Sequence, residues 1–205
     1  MLVIGLTGGI GMGKSAAAEH FARAGVPVFN ADACVHRLYE GDAVAAIEAA
    51  FPGATRGGKV DRQLLSERLA GSQARLKELE AIVHPMVVEA EIDFLIEQEK
   101  AGAKLSVLEI PLLFETGAEQ RVDVTIVLTA PAHVQKARVM ARPGMSVDKL
   151  EHLLARQLSD DERRARADYV VDSGTSLKDM HAALDKLIES LHKKDGRVME
   201  RLRQR

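Results

Sequence analysis

A glycine-rich segment near the N-terminus has the residue types and spacing of a phosphate-binding loop. Gly8 is followed, after four residues, by Gly13, Lys14 and Ser15, which matches the P-loop pattern completely. Glycines let the backbone wrap closely around phosphate oxygens, and the free amides at the start of a following helix attract anions. We expect Lys14 to reach the β- and γ-phosphates of a nucleotide and the Ser15 hydroxyl to ligate magnesium.

The loop predicts ATP and Mg2+ as cofactors. The predicted nucleotide-binding residues are Gly8, Gly9, Ile10, Gly11, Met12, Gly13, Lys14, Ser15 and Ala16. The alternative is a strand-to-helix turn that binds nothing. A P-loop alone does not choose between kinases, switch GTPases and motor-type ATPases. The chain has no Asn/Thr-Lys-x-Asp element of the kind that selects guanine, which disfavours the GTPase interpretation.

Bulk properties exclude several other classes. The 205 residues fit one domain, and the formal net charge of -2 offers no basic surface for nucleic acid. The single cysteine, Cys34, excludes an internal disulfide and suits a reducing compartment. The apolar N-terminus has no basic flank, and no stretch approaches the roughly 20 apolar residues of a membrane span. We therefore expect a cytoplasmic protein without a nucleic-acid or membrane partner; its oligomeric state stays open.

Short apolar runs alternate with helical patterns, which predicts an α/β fold. We expect a P-loop NTPase-type, five-stranded parallel sheet covered by helices. The predicted strands are 2–6, 26–29, 105–110, 124–128 and 169–171. A first helix is expected over 13–24, and Ser176 with Asp179 resembles a capping box at the start of the last long helix.

Two insertions separate the core segments. We predict a core formed by 1–31, 103–131 and 168–192, with a helical acceptor-binding subdomain over about 32–102. The alternative is that this helical insertion only decorates the fold and has no role in binding the acceptor. Within it Asp61 is expected to cap a helix, Pro85 to open another that runs to about Lys100, and no strand is expected. We predict a lid over residues 132–167 and a basic, frayed tail over 193–205.

Several short motifs follow the loop in order. They are Asn30-Ala31-Asp32, His84-Pro85, Pro111-Leu112-Leu113-Phe114-Glu115, Gln135-x-x-Arg138-x-x-x-Arg142, Gln157 and Ala167-Asp168-Tyr169-Val170-Val171-Asp172-x-Gly174. With the loop, they make the chain resemble the dephospho-CoA kinase family from residue 1 to about residue 191. The resemblance implies an enzyme that uses Mg-ATP to phosphorylate the ribose 3′-hydroxyl of dephospho-CoA, the last step of CoA synthesis.

The resemblance implies that Asp32 is the catalytic base. A ribose hydroxyl is a poor nucleophile, so a carboxylate that takes its proton assists the reaction. Asp32 also follows the second predicted strand, and parallel strands meet the ligand crevice at their carboxyl ends. The alternative for Asp32 is a helix cap for residues 33–39.

The resemblance places Arg138 and Arg142 in or beside the lid, where they would neutralise charge on the transferring phosphoryl group. Lying four residues apart on a predicted helix, they should share one face; a solvated charged face is the alternative. The other arginines of this region are expected to be ordinary surface charges. They are Arg156, Arg163, Arg164 and Arg166.

The acceptor contacts implied by the resemblance are Thr7, Asp32, His84, Pro111, Leu112 and Leu113. Glu109, near the end of the third strand, is left open between a metal-related and a structural role. Glu115 could hold a helix or a bound group.

The chain departs from the family pattern at Asn30, Pro143 and Ser173, where the family often has Asp, Asp and Asn. Two alternative functions stay open for the chain. One is that of another P-loop kinase, acting on nucleosides or nucleotides, and the other is that of a non-catalytic nucleotide-binding module.

Overall fold

The structure is a computed structural model that describes residues 1–204. Within them the strands are β1 (Leu2–Gly8), β2 (Val28–Asn30), β3 (Thr55–Arg56), β4 (Lys59–Val60), β5 (Leu105–Glu109), β6 (Val124–Thr129) and β7 (Tyr169–Asp172). The helices are α1 (Lys14–Arg23), α2 (Ala31–Leu38), α3 (Val44–Ala50), α4 (Arg62–Leu69), α5 (Gln73–Lys100), α6 (Ala132–Met140), α7 (Val147–Leu154), α8 (Asp160–Arg166), α9 (Leu177–Leu191) and α10 (Val198–Arg203), with a 3₁₀ turn at Ala118–Arg121.

The main sheet has five strands in the order β2-β5-β1-β6-β7. β1 lies in the middle and pairs in parallel with β5, Leu6 opposite Glu109, and with β6, Gly8 opposite Leu128. β6 pairs in parallel with β7, Thr129 opposite Asp172. This confirms the predicted five-stranded α/β fold. The carboxyl ends of the central strands meet at one edge, where open α/β sheets bind ligands.

The chain divides into two compact units, Met1–Phe29 with Leu95–Arg205, and Asn30–Phe94. In the first unit the central strands are buried on both faces, as the continuous apolar runs in their sequences predict. α1 packs against α9 over this sheet, burying Phe21, Met180 and Leu184. The Ser176 side chain accepts a hydrogen bond from the Asp179 amide, confirming the predicted N-cap of α9.

The second unit contains α2 to α4, most of α5 and a small hairpin. Asp61 caps α4 by accepting hydrogen bonds from the Gln63 and Leu64 amides, as predicted. The expectation that this region has no strand was wrong, because β3 and β4 pair antiparallel. Each has only two residues, too short for an alternating pattern to be visible in the sequence.

Pro85 does not open a helix, as we had predicted, but lies inside α5. An interior proline removes one backbone hydrogen bond and usually breaks the helix. Here buried side chains line the helix on both sides of it, Leu79 and Val83 before and Val87 and Leu95 after. Burial of this stripe keeps α5 continuous through the proline.

The C-terminal segment is not the frayed tail that its composition predicted. α10 buries Val198 and Met199, which are 4% and 1% exposed, and packs against β1. The Asp123 carboxylate accepts hydrogen bonds from the amides of Arg197 and Val198 at the start of α10 and from that of Val3 in β1. Two buried apolar residues in a basic segment are too few to give a visible pattern in the sequence. None of the helices in the described residues is long and apolar enough to cross a membrane.

Candidate active site

The phosphate-binding loop connects β1 to α1 at the carboxyl edge of the sheet. Gly13 is the N-cap residue of α1 with φ 82°, and Gly11 has φ 76°, a region that side chains other than glycine's rarely tolerate. A Cβ at Gly11 would also lie 2.6 Å from Val139 Cγ2 of α6. Gly13 is therefore required by the turn, and Gly11 both by the turn and by the close approach of α6.

Lys14 and Ser15 begin α1, directly after the loop. The Lys14 Nζ donates hydrogen bonds to the carbonyl oxygens of Gly8, at 2.8 Å, and Gly9, at 3.4 Å. The side chain thus folds back over the loop, and its charge lies where nucleotide phosphates would bind. The Ser15 hydroxyl belongs to an exposed residue in the first turn of α1.

A cavity of about 380 Å³ lies beside the loop. Its polar lining comes from the loop and from three other segments: Gly11, Gly13, Lys14, Ser15, Arg138, Arg142 and Ser173. Three side chains of this lining are cationic, and the start of α1 adds backbone amides. The cavity therefore suits a polyanion. Leu177 and Met180 of α9 supply an apolar part of the wall.

Arg138 lies in α6 and is held by Ser173. Its guanidinium donates to the Ser173 carbonyl oxygen at 2.6 Å and to the Ser173 Oγ at 3.1 Å. The Ser173 hydroxyl in turn donates to the Met12 carbonyl oxygen at 2.8 Å. Ser173, one of the departures from the family pattern, thus joins Arg138 to the phosphate-binding loop.

Arg142 does not share a helical face with Arg138, so that expectation was wrong. α6 ends at Met140, and Arg142 is exposed in the turn that follows. The residue before a proline is disfavoured in helical conformation, and Pro143 follows Arg142. Gly144, with φ 72°, completes the turn. Arg142 nevertheless reaches the cavity wall.

Three residues that contact or adjoin the loop had no role in the sequence-based interpretation. The Gln157 Oε1 accepts a hydrogen bond from the Ile10 amide, and the Gln135 Nε2 donates to the Ile10 carbonyl oxygen. Arg163, expected to be a surface charge, is only 3% exposed. Its guanidinium donates to the Leu158 carbonyl oxygen at 2.6 Å. Both glutamines belong to the family motif, which was the available signal, whereas nothing in the sequence separates Arg163 from its exposed neighbours.

The segment after β5 is tied to β1 and to residues just before α8. Thr7 is fully buried, and its hydroxyl donates to the Pro111 carbonyl oxygen at 3.2 Å. Leu113 is also fully buried and packs against Gly5. One Glu115 oxygen accepts from the Leu158 amide at 2.8 Å; the other is buried without a hydrogen-bond partner in the described part of the chain. Glu115 therefore holds the backbone just before α8, which is close to the first of its two predicted roles, that of holding a helix.

The remaining predicted residues of the first unit line the same edge of the sheet. Glu109 ends β5 opposite Leu6 and is 5% exposed. Pro111 and Leu112 are partly exposed in the following turn. Ala16 continues the first turn of α1 and lines the cavity beside the loop.

The second unit carries Asp32 and His84. The N-cap of α2 is Asn30, whose side-chain oxygen accepts from the Ala33 amide at 2.7 Å. Asp32 lies exposed in the first turn, so the helix-cap alternative for Asp32 was wrong. Cys34 is buried, and burial raises the pKa of its thiol. His84 is exposed within α5. Among residues 1–204, no three His, Cys, Asp or Glu side chains cluster as metal ligands.

Comparison with solved structures places the fold among P-loop kinases. A crystal structure from Thermus thermophilus superimposes with a TM-score of 0.81 at 37% identity, covering 93% of this chain and 97% of that one. A dephospho-CoA kinase from Campylobacter jejuni gives 0.65 at 23% identity over 94% and 98%. A shikimate kinase from Bacteroides thetaiotaomicron gives 0.51 at 19% identity over 93% and 98%, a likeness of fold alone.

Sequence comparison identifies the family. A dephospho-CoA kinase of Rhodopseudomonas palustris is 52% identical over 193 residues, 94% of this chain and 97% of that protein. A dephospho-CoA kinase of Brucella melitensis is 51% identical over 191 residues, 93% and 96% of the two chains. The family model described as dephospho-CoA kinase matches residues 2–179. With the complete phosphate-binding loop and its cationic cavity, these matches show that the chain belongs to the dephospho-CoA kinase family.

Proposed function

We propose that this protein transfers the γ-phosphoryl group of ATP to the ribose 3′-hydroxyl of dephospho-CoA, giving CoA and ADP. The observation that carries the proposal is a complete P-loop opening on a cationic cavity, in a chain half identical to dephospho-CoA kinases along nearly its whole length. The surroundings of the loop suit phosphoryl transfer, in which positioning and charge stabilisation dominate.

In the proposed reaction, the 3′-oxygen forms a bond to the γ-phosphorus while the bond from that phosphorus to the ADP oxygen breaks. The hydroxyl proton passes to the Asp32 carboxylate, and ADP carries away the electron pair. Asp32 is exposed, follows β2 directly and is not needed as a helix cap because Asn30 is the N-cap. These features support Asp32 as the base.

Charge on the transferring group requires cations close to it. We assign this role to Lys14 and Arg142, whose side chains line the cavity and come from the start of α1 and from the turn after α6. Arg138 is bonded to Ser173, so we assign it a role in holding the loop and the cavity wall together. Arg142, in an exposed turn, has the freedom to close on the phosphates.

Magnesium fits the residues at the loop. Mg2+ usually keeps several waters and uses one or two protein ligands together with substrate phosphates. The Ser15 hydroxyl on the cavity wall meets this need. Bound there with the nucleotide, the ion would neutralise phosphate charge.

Acceptor contacts remain assigned to Thr7, Asp32, His84, Pro111, Leu112 and Leu113. Pro111, Leu112 and His84 are at least partly exposed, which favours them for direct contact. Thr7 and Leu113 are fully buried, which favours support of the segment 111–113. We place the protein in the cytoplasm, where a single buried cysteine remains reduced.

The test is an acceptor assay. Purified protein with Mg-ATP is offered dephospho-CoA, nucleoside monophosphates and shikimate, and the position of the new phosphate is determined by NMR. We expect transfer to dephospho-CoA alone, at the ribose 3′-oxygen. Transfer to a different acceptor, or ATP binding without any transfer, would contradict the proposal.

The control variant for this assay is Lys14→Ala. Lys14 is partly exposed on the cavity wall and contributes no buried apolar surface, so we expect transfer to fall to background while the melting temperature stays close to that of the wild type. Substantial turnover by Lys14→Ala would mean that the activity comes from another site or another protein.

A further inference from the structure

Both backbone polar groups of Ile10, near the middle of the phosphate-binding loop, are bonded to glutamine side chains. The Ile10 amide donates to Gln157 Oε1 at 3.1 Å, and the Ile10 carbonyl oxygen accepts from Gln135 Nε2 at 2.9 Å. The polarity of the backbone decides which atom of each side-chain amide makes the contact. Gln157 must present oxygen, and Gln135 must present nitrogen.

The two glutamines come from different segments of the predicted lid region, 132–167, one before α7 and one after it. Gln135 is in the first half of α6, and Gln157 follows α7. α6 lies close to the loop, since a Cβ on Gly9 would be 3.2 Å from Gln135 Nε2. The intervening α7 exposes the apolar side chains Val147, Leu153 and Leu154.

Gln157 is held in place by its neighbour in the chain. The Leu158 amide donates to Glu115 at 2.8 Å, and the Leu158 carbonyl oxygen accepts from Arg163 at 2.6 Å. Arg163 is itself buried, and its Nη2 is 2.7 Å from where a Cβ on Gly9 would lie. The residue beside Gln157 is therefore anchored through both of its backbone groups, which makes Gln157 a rigid support for Ile10.

We propose that Gln135 and Gln157 are positioning residues that hold Ile10 in the conformation that binds nucleotide phosphates. A P-loop binds phosphate through backbone groups, so its affinity depends on how little the loop must reorganise. Two hydrogen bonds of opposite polarity to one residue fix its orientation. The inference rests on the proposed function only in that the loop binds ATP.

The test uses one substitution that has opposite consequences at the two positions. Gln157→Glu keeps an oxygen that accepts from the Ile10 amide. Gln135→Glu replaces the donor with a carboxylate that faces the Ile10 carbonyl oxygen. Both variants add one negative charge next to the same loop residue, so each is a control for the charge of the other. Gln135→Met and Gln157→Met, uncharged and of similar length, remove the bonds and serve if a Glu variant fails to fold.

The first readout is the dissociation constant of ADP, measured without an acceptor. We expect each Met variant to weaken ADP binding about 5-fold, as for one lost hydrogen bond, and Gln135→Glu to weaken it at least about 10-fold more than Gln157→Glu does. The exchange rate of the Ile10 amide proton should rise in Gln157→Met. In the kinase assay, kcat or the KM for ATP should change, while the KM for the acceptor stays within about 2-fold of the wild type.

A purely structural role predicts a lower melting temperature with unchanged nucleotide affinity in the folded variants, and that result would overturn the proposal. Equal ADP affinities of the two Glu variants would also overturn it. So would tighter ADP binding by Gln157→Met, because the glutamine would then compete with phosphate for the Ile10 amide. Failure to phosphorylate dephospho-CoA leaves the ADP and exchange measurements intact, so it would count against the proposed function alone.

Discussion

Asn30 and Asp32 lie two residues apart at the start of α2 and have different surroundings. The Asn30 side chain is bonded to the Ala33 amide, and Asp32 is exposed in the first turn. Asparagine and aspartate are about equally good N-caps. The departure from the family's Asp-Ala-Asp pattern therefore preserves the cap and leaves the second carboxylate in place.

Because Asn30 and Asp32 have different roles, a substitution at one should affect stability and a substitution at the other should affect catalysis. Asp32→Asn should lower kcat by about 10²- to 10⁴-fold, because the general base is lost, with little change in stability. Asn30→Ala should lower the free energy of unfolding by about 1 kcal/mol, because the cap is lost, with little change in kcat. Steady-state kinetics and urea unfolding of both variants test the pair.

Asn30→Asp is the matched control and should resemble the wild type in both measurements. Near-normal turnover by Asp32→Asn would contradict the assignment of Asp32 as the base. A loss of stability in Asp32→Asn as large as that in Asn30→Ala would contradict the distinction between the two residues.

At the scale of secondary-structure elements, the contact between α1 and α9 contains a histidine pair. The rings of His20 and His181 stack with their centroids 4.2 Å apart, and His20 Nε2 lies 2.6 Å from Asp185 Oδ1. The His181 Nε2 is buried without a hydrogen-bond partner within residues 1–204. Burial is the largest cause that lowers the pKa of His181 below its usual 6.5. His20 and Arg23 lower this pKa further, whereas Asp185 raises it.

The lowered pKa predicts that stability depends on pH. The unfolded chain takes up a proton at His181 near pH 6.5, before the folded chain does. The contribution to stability is therefore complete above pH 6.5 and is lost as the pH falls through the lower folded pKa. The melting temperature should decline over that range, and His181→Leu should reduce the decline.

The control for the pH measurement is His133→Gln, since His133 is exposed on α6. Its melting temperature should follow the wild-type dependence on pH. A decline that is equally steep in His181→Leu and the wild type would show that other groups cause it.

At the scale of the whole molecule, α10 belongs to the folded core of the first unit. Asp123 connects the start of α10 to β1 through three backbone amides. A Cβ at Gly196 would lie 2.4 Å from the Met1 carbonyl oxygen. The segment before α10 thus passes directly over the start of the central strand.

Deletion of residues 195–205 should therefore lower stability without altering catalysis. Loss of the buried Val198 and Met199 side chains should cost about 3 kcal/mol or more, which lowers the melting temperature by roughly 6 to 12 °C in a chain of this size. The phosphate-binding loop lies at the other end of β1, so kcat/KM of the folded protein should change less than about 2-fold. Differential scanning calorimetry and steady-state kinetics provide the measurements.

Arg201→Ala with Arg203→Ala is the control, because both side chains make exposed contacts worth at most about 1 kcal/mol each. A melting temperature that does not change on deletion would contradict the packing of α10 and support the frayed tail that the composition predicted.

The sequence by itself determined the fold class and the nucleotide-binding loop. Parallel central strands are buried on both faces, so their apolar runs are continuous and visible, as in β1 and β6. The turn at Gly11 and Gly13 needs positive φ, which is a local requirement for glycine, although α6 adds a second one at Gly11. The Asp61 and Ser176 caps are likewise local hydrogen bonds between residues two or three apart. Interactions of short range in the chain leave a readable pattern.

Tertiary structure alone decided the contacts that hold the loop, the burial of Arg163 and the course of α5 and α10. The residues that make these contacts are far apart in the chain. Ile10 bonds to Gln157 across 147 positions, and Ser173 bonds to Met12 across 161. Burial separates Arg163 from Arg164 and Arg166, which have the same side chain. α5 continues through Pro85 and α10 docks at β1 because packing outweighs local propensity. Contacts of this kind depend on where the fold brings each segment, and no local pattern encodes them.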